Sequence, residues 1–358
     1  MPMPATAVSE PGFRRDSPGC FVYVSCAGTK EIHIFRLNEA DGRLHVLGAA
    51  AVPGTSEPSP ASMPMALSPD RRILYAALRS APFPVSAFVI DQVDGGLSCR
   101  GTAPLPAAMA YLSVSRDGLL LGASYTEGKI SVNRIDIDGV PQSPPVQTID
   151  TPPKAHCIVE GQNGVCYATT VSGNAILAWR KSVRGQGLGL SGPVSTACRS
   201  GSGPRHLAFH PRLPVMYCIN ELAGSLTVFA IEESPGELVE LQSISLMPPD
   251  FQGNALAADV HVRPDGCFVY ASVRSTNLIA ALRVDMASGR VECVGYYGAD
   301  PSPRGFAIDP SGQFLVCAGQ RSATVVVYDI DASSGALAQL HRYSVGSNAN
   351  WVEIVPFG

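Results

Sequence analysis

Gly203-Pro204-Arg205-His206-Leu207-Ala208-Phe209-His210-Pro211 begins a stretch that continues through Val215-Met216-Tyr217-Cys218-Ile219, Ser225-Leu226-Thr227-Val228-Phe229-Ala230-Ile231 and Glu237-Leu238-Val239-Glu240-Leu241. Short runs rich in β-branched and aromatic residues, bounded by Gly and Pro, favour strands over helices. The stretch therefore reads as four strands joined by turns. A later stretch repeats the plan with Phe306-Ala307-Ile308, Phe314-Leu315-Val316-Cys317-Ala318, Thr324-Val325-Val326-Val327-Tyr328 and Ala336-Leu337-Ala338-Gln339-Leu340. Between third and fourth strands stands a glycine turn, as at Asp41-Gly42, Asp94-Gly95-Gly96, Pro235-Gly236, Ser288-Gly289 and Ser334-Gly335. Glycine supplies the positive φ that tight hairpins need. No amphipathic helix emerges.

Working outward, a turn recurs at Ser68-Pro69-Asp70, Ser115-Arg116-Asp117, Gly161-Gln162-Asn163, His210-Pro211-Arg212, Arg263-Pro264-Asp265 and Asp309-Pro310-Ser311. The turn centres lie 46 to 53 residues apart, the period of a propeller blade. Six such units account for residues 63 to about 346. The N-terminal runs Phe21–Ser25, Glu31–Phe35 and Leu44–Val46 supply three outer strands of another unit, and Trp351–Val355 supplies its inner strand. Joining the two ends removes free sheet edges. The expected fold is all-β: a seven-bladed β-propeller of four-stranded antiparallel blades, occupying residues 20–358 as one domain and closed by the C-terminal strand. A six-bladed ring with a loose terminal hairpin is the rival.

Composition agrees. Of 358 residues, 46% are hydrophobic and only 16% charged, and propellers grow by adding blades rather than by enlarging one core. A net charge of −4 gives no electrostatic case for nucleic acid or an anionic membrane. Residues 1–19 hold no 7–15-residue apolar run after a basic start, so a flexible extension is expected there rather than a signal peptide. No stretch approaches the ~20 apolar residues that cross a bilayer. The cytoplasm is the expected location, and a monomer or weak homo-oligomer the expected state.

Two positions keep fixed offsets from the repeating turn. Six residues before its centre stand Met63, Ala110, His156, Arg205, Ala258 and Arg304; ten after it stand Arg79, Thr126, Ser172, Glu221, Arg274 and Gln320. In a propeller both offsets return to one face near the central channel. His156, Arg205, Glu221, Arg274, Arg304 and Gln320 are thus expected to converge from the fourth to the seventh blades. Guanidiniums are planar forks suited to carboxylate or phosphate, while Glu221 and His156 can exchange protons. This set points to a small anionic ligand and to proton transfer or water activation. The competing reading pairs Arg205 and Arg304 with loop carboxylates as inter-blade struts.

Lesser candidates are His206 and His261 on inner strands, Asp259 beside them, and Arg79 as a more distant anion contact. Ten cysteines include no Cys-x-x-Cys pair. Cys218 and Cys317 fall where other units place Ala76, Ala123 and Ala271, which marks them as small buried residues. Cys157 adjoins His156, but neighbours on a strand point to opposite faces. No metal and no cofactor are expected.

The strings Gly203-Pro204-Arg205-His206-Leu207-Ala208-Phe209-His210-Pro211 and Cys218-Ile219-Asn220-Glu221-Leu222 resemble the signature of the β-propeller 6-phosphogluconolactonase family, which includes fungal carboxy-cis,cis-muconate cyclases. Pro303-Arg304-Gly305-Phe306, Ala257-Ala258-Asp259-Val260-His261 and Ala318-Gly319-Gln320 add to the likeness, which runs from about Phe21 to Val355. The resemblance implies a seven-bladed ring and a metal-independent site using His156, Arg205, Glu221 and Arg274, with Arg304 and Gln320 close by; His206 and Arg79 are further candidates for substrate contact. Two departures stand out: His156-Cys157 where bacterial members usually carry His-Ser, and Ser275-Thr276-Asn277 after Arg274. The implied activity is hydrolysis of 6-phosphogluconolactone or a similar acidic sugar lactone. The alternatives are a cycloisomerase acting on a muconate-like polycarboxylate, and a non-catalytic interaction propeller.

Overall fold

The apolar runs become strands, and the strands pair into seven four-stranded antiparallel sheets in the computed structural model, which describes residues 19–181 and 193–357. The expected 1–19 extension lies outside the described residues except for Gly19, which opens a strand. Blade 5 comprises Pro204–Phe209, Val215–Asn220, Ser225–Ile231 and Leu238–Ser245 from the axis outward. Blades 2 to 7 follow chain order. Blade 1 is built from both ends of the chain: Ala349–Phe357 lies innermost, beside Gly19–Cys26, Glu31–Leu37 and Leu44–Ala51. The seven-bladed ring and its closure stand as expected from the repeats.

Local differences have simple causes. The outer strand of blade 5 runs on to Ser245, past the apolar run that ends at Leu241. Its further residues include Gln242, Ser243 and Ser245, and outer strands face water, so apolar content understates their length. The inner strand of blade 2 is only Met65–Leu67.

The core is divided into slices between blades. Second strands such as Val215–Asn220 and Phe314–Gly319 are buried along their whole length. Between blades 5 and 6, Val215, Tyr217 and Val228 pack with Val260, Val269 and Ala280. The slice that closes the ring sets Val22, Val24 and Phe35 against Val316, Val325 and Val327, with Val352 between. A polar latch accompanies this packing. Tyr217 Oη donates to the Gly289 carbonyl at 3.0 Å, and Tyr270 Oη to the Gly335 carbonyl at 3.0 Å. Gly289 has φ +72°, and a Cβ there would stand 2.6 Å from Val215 Cγ2. Positive φ and close approach both demand glycine at that hairpin.

The closing sheet generates a test. Strand Gly19–Cys26 is buried at every residue, and deleting residues 349–358 would bare its inner edge and open the slice between blades 1 and 7. The truncated chain should lose its cooperative melting transition and aggregate on size-exclusion chromatography. An unchanged melting temperature in a monomeric truncated chain would show that the terminal pairing contributes nothing.

Candidate active site

An extra residue in every inner strand except that of blade 2 builds the mouth of the channel. In blade 4 the register steps from Ala155↔Thr170 to Cys157↔Thr169, leaving His156 as the extra residue. The same shift falls at Arg205-His206 in blade 5, Ala258-Asp259 in blade 6, Arg304 in blade 7 and Asn350 in blade 1. A β-bulge bends the strand and re-aims a side chain. The second register position is pinned beside the first by the backbone. The N–H groups of Glu221, Arg274 and Gln320 donate to the carbonyls of Gly203, Leu256 and Ser302, at 2.7, 2.9 and 3.0 Å. Each of those carbonyls lies two residues before a bulge position, so loop and inner strand arrive together.

Glu221 is the centre of the cluster. Its Oε2 lies 3.1 Å from Arg205 Nε and its Oε1 accepts from Arg274 Nη2 at 3.0 Å. Burial by itself would raise the Glu221 carboxyl, but the guanidiniums of Arg205 and Arg274 outweigh it and hold the group below its ordinary value. Arg205 is 1% exposed. Burial draws its pKa down to about 10, with Glu221 opposing, so it remains a cation at neutral pH. Its Nη1 also donates to the Ala258 carbonyl and to His206 Nε2.

Arg304 and Arg79 form no ion pair among the described residues, although Glu221 and Glu127 respectively favour their charged forms. Among the described residues the Arg304 guanidinium has no carboxylate and no hydrogen-bond partner; burial first, then Arg205, Arg274 and Arg79, depress its pKa. Arg79 reaches only Thr126 Oγ1, at 3.5 Å, and its buried Nε has no partner. Two of the four guanidiniums thus pair with Glu221, while Arg79 feels the Glu127 carboxylate without an ion pair to it. His156 is 4% exposed, and its Nδ1 is unpartnered. Burial, followed by Arg205, His206, Arg304 and Arg79, pushes its pKa well down, so the imidazole is neutral.

The structure therefore brings His156, Arg205, His206, Glu221, Arg274, Arg304 and Arg79 into one neighbourhood. Two details differ from the sequence reading. Arg304 is no strut, having no carboxylate to brace against, whereas Arg205 and Arg274 are both engaged by Glu221. Gln320 directs its amide to Asn348 Oδ1 at 2.8 Å rather than into the guanidinium cluster. Cys157 is fully buried and its thiol is pushed up to about 12, by burial first, which leaves no thiolate at neutral pH. Sequence reasoning missed Asn350, whose Oδ1 accepts from Met63 N at 3.1 Å; aligning the C-terminal strand with the other inner strands would have placed it in register with Arg205. It also missed Tyr125, which sits edge-on to His156 with ring centroids 5.7 Å apart.

A cationic mouth on a seven-bladed ring agrees with comparison to known proteins, where the family model "Lactonase, 7-bladed beta-propeller" matches residues 48–354. The chain belongs to the seven-bladed β-propeller lactonase family. It is accordingly an enzyme of the lactonase class, and the non-catalytic alternative is set aside. This lactonase is similar to the 6-phosphogluconolactonase of Yersinia pseudotuberculosis serotype O:3 (strain YPIII), with 36% identity over 334 residues spanning 93% of this chain and 97% of that protein. It is also similar to the 6-phosphogluconolactonase of Serratia proteamaculans (strain 568), 36% identical over 336 residues and covering 93% and 98% of the two chains. The solved structure of PpgL, a periplasmic gluconolactonase of Pseudomonas aeruginosa, superposes with a TM-score of 0.84 at 26% identity, covering 95% of this lactonase and 99% of that chain.

Beneath the mouth the lactonase channel widens into a cavity of about 400 Å³ whose lining includes His206, Asp259, His261, Phe306, Trp351 and Glu353. His206 separates the two spaces. Its Nδ1 faces Asp259 Oδ1 at 2.8 Å and its Nε2 faces Arg205 Nη1 at 3.1 Å. Guanidinium nitrogen only donates, so Nε2 is the acceptor and Nδ1–H donates to Asp259. The carboxylate thereby sets the tautomer and holds the ring that steadies Arg205. Burial alone would raise Asp259, yet His261 and His206 draw it far below the ordinary carboxylate value. His261 lies 3.3 Å from Asp259 Oδ2.

Glu353 behaves oppositely. It accepts from Trp351 Nε1 at 2.9 Å, but burial pushes its pKa up to about 7 from an ordinary 4.5. The folded lactonase then holds this proton more tightly than the unfolded chain does. Its stability should fall as pH rises from about 4.5 to about 7, where the folded carboxyl ionises. Glu353→Gln keeps an acceptor for Trp351 without the charge. Melting curves should show the variant gaining on the native chain above pH 7 and losing that advantage below pH 4.5. A difference independent of pH would mean that Glu353 is not strained by ionisation.

Proposed function

We propose that the chain hydrolyses an acidic sugar lactone, with 6-phosphogluconolactone as its substrate. The observation that carries this reading is the excess of guanidinium over ion-paired carboxylate: among the described residues Arg79 and Arg304 form no ion pair, while Glu221 is taken up by Arg205 and Arg274. Buried cations without a counter-charge are costly, and a substrate bearing phosphate or carboxylate relieves that cost on binding. The names of the Yersinia and Serratia relatives support the phosphorylated substrate. Ten free thiols suit a reducing cytoplasm.

In the proposed reaction Arg304 polarises the lactone carbonyl, and a water held by Glu221 attacks it. The water proton passes to Glu221 as the new C–O bond forms and the carbonyl becomes an oxyanion opposite Arg304. Collapse breaks the ring C–O bond, and the leaving alkoxide takes up the proton that Glu221 received, relayed by the neutral His156 imidazole, which returns Glu221 to its carboxylate. The product acid then ionises to solvent. No metal or cofactor takes part in this scheme. Two guanidiniums make Glu221 a weak base in the free enzyme.

Glu221→Gln should lower turnover by ~10²–10⁴-fold. Its melting temperature should also fall, because Arg205 would keep its buried charge without the carboxylate. Glu221→Asp, which retains the charge, separates the two effects: it should recover stability more than turnover. Full turnover in a folded Glu221→Gln variant would remove this residue as the base. For Arg304→Gln, steady-state kinetics should show kcat falling by about 10²–10³-fold, the loss expected for one oxyanion donor. A rise confined to KM would assign Arg304 to ground-state binding.

A further inference from the structure

Beside the mouth lies a cavity of about 630 Å³ lined by Arg79, Tyr125, Thr126, Glu127, Thr151 and Lys154, among others. Tyr125 is its centre. The Arg79 guanidinium carbon stands 5.9 Å from the ring centroid and Lys154 Nζ stands 5.4 Å from it. The same ring packs edge-on against His156, so the cavity adjoins the reacting end of the site.

Both cations are poised for a ligand. The Arg79 Nε is buried and unsatisfied, and its one hydrogen bond, to Thr126 Oγ1, is long. Such a donor gains more from an acceptor than an exposed one does. Lys154 has no ion pair among the described residues and carries a left-handed backbone, φ +66°. A non-glycine residue in that region is strained, and such strain gathers at ligand clamps. The carbonyl of Lys154 accepts from Val171 N at 2.9 Å, which holds the turn in place. Glu127 is the acidic residue of the lining, and its carboxylate is engaged by the Ser124 hydroxyl. The cavity therefore offers a planar fork and a compact ammonium, each close to the same aromatic ring.

We propose that this cavity is the subsite for the phosphate end of the substrate, with Arg79 giving paired hydrogen bonds and Lys154 a point charge. The assignment rests on the lactone reading above and adds how the enzyme tells a phosphorylated lactone from a plain one. An unphosphorylated sugar lactone would leave the buried Arg79 Nε unmatched, and a site whose buried polar group is left unpaired discriminates against that ligand.

The test uses the full chain, 6-phosphogluconolactone, glucono-lactone and inorganic phosphate. Lys154→Met should reduce the ratio of kcat/KM for the phosphorylated over the plain lactone by about tenfold, a typical value for one charge contact. The same variant should weaken inorganic phosphate binding measured by calorimetry, and Arg79→Gln should do so further. Thermal melting serves as the folding control, since Lys154 is exposed. An unchanged ratio and unchanged phosphate binding in both folded variants would overturn the subsite while leaving the lactonase reading intact. Lysine-dependent phosphate binding in a native chain that opens neither lactone would uphold the subsite and sink the substrate assignment.

Discussion

Closure of the ring governs this molecule. Ala349–Phe357 pairs with Gly19–Cys26 along its length, and that pairing turns a row of sheets with two open edges into a cycle with none. Its consequence reaches the site. The first blade completes the wall of the channel: Trp351 and Glu353 meet His206, Asp259 and Phe306 of blades 5 to 7 around the larger cavity, and Asn350 meets Arg205 and Arg304 in the smaller one. Without closure the slices would still pack pairwise, but no axis would exist for side chains to converge upon.

Within the closed ring, chemistry comes from departures from symmetry. Six of the seven blades carry the same inner-strand bulge, yet its position holds His156, Arg205 and Arg304 in blades 4, 5 and 7 and Ala110 and Ala258 in blades 3 and 6. The alanines give room; the charged residues fill the mouth. Four guanidiniums with only two of them ion-paired, both to Glu221, are an arrangement that favours bound anions and holds Glu221 ionised. It also explains why charged groups can be so deeply buried: Arg205 is anchored by Glu221, a backbone carbonyl and His206 together, and a buried ion is tolerable when paired and hydrogen-bonded.

The channel contributes a second layer. Asp259 fixes the tautomer of His206, and His206 fixes Arg205, so a carboxylate in the lower cavity controls the posture of a cation in the upper mouth. Asp259 also accepts from the backbone N–H groups of Val260 and Phe306, which ties that posture to two neighbouring blades. The chain from Asp259 to Glu221 crosses blades 6 and 5 without leaving hydrogen-bond distance.

The sequence by itself determined the all-β class, the blade period and the permuted closure, because strand runs, glycine turns and a spacing of 46 to 53 residues are local or periodic signals. It also determined which polar residues share a face, since His156, Arg205, Glu221, Arg274 and Arg304 stand at fixed offsets from one turn. What the tertiary structure decided was who pairs with whom. Offsets cannot show that Glu221 binds Arg205 and Arg274 and leaves Arg304 and Arg79 without an ion pair, because that choice depends on distances between blades. Nor can they show that Gln320 turns to Asn348, or that Arg79 and Lys154 both stand close to the Tyr125 ring. The bulges escaped as well, and for a physical reason: one extra residue leaves the apolar pattern of a short strand unchanged while redirecting the side chain on which the chemistry depends.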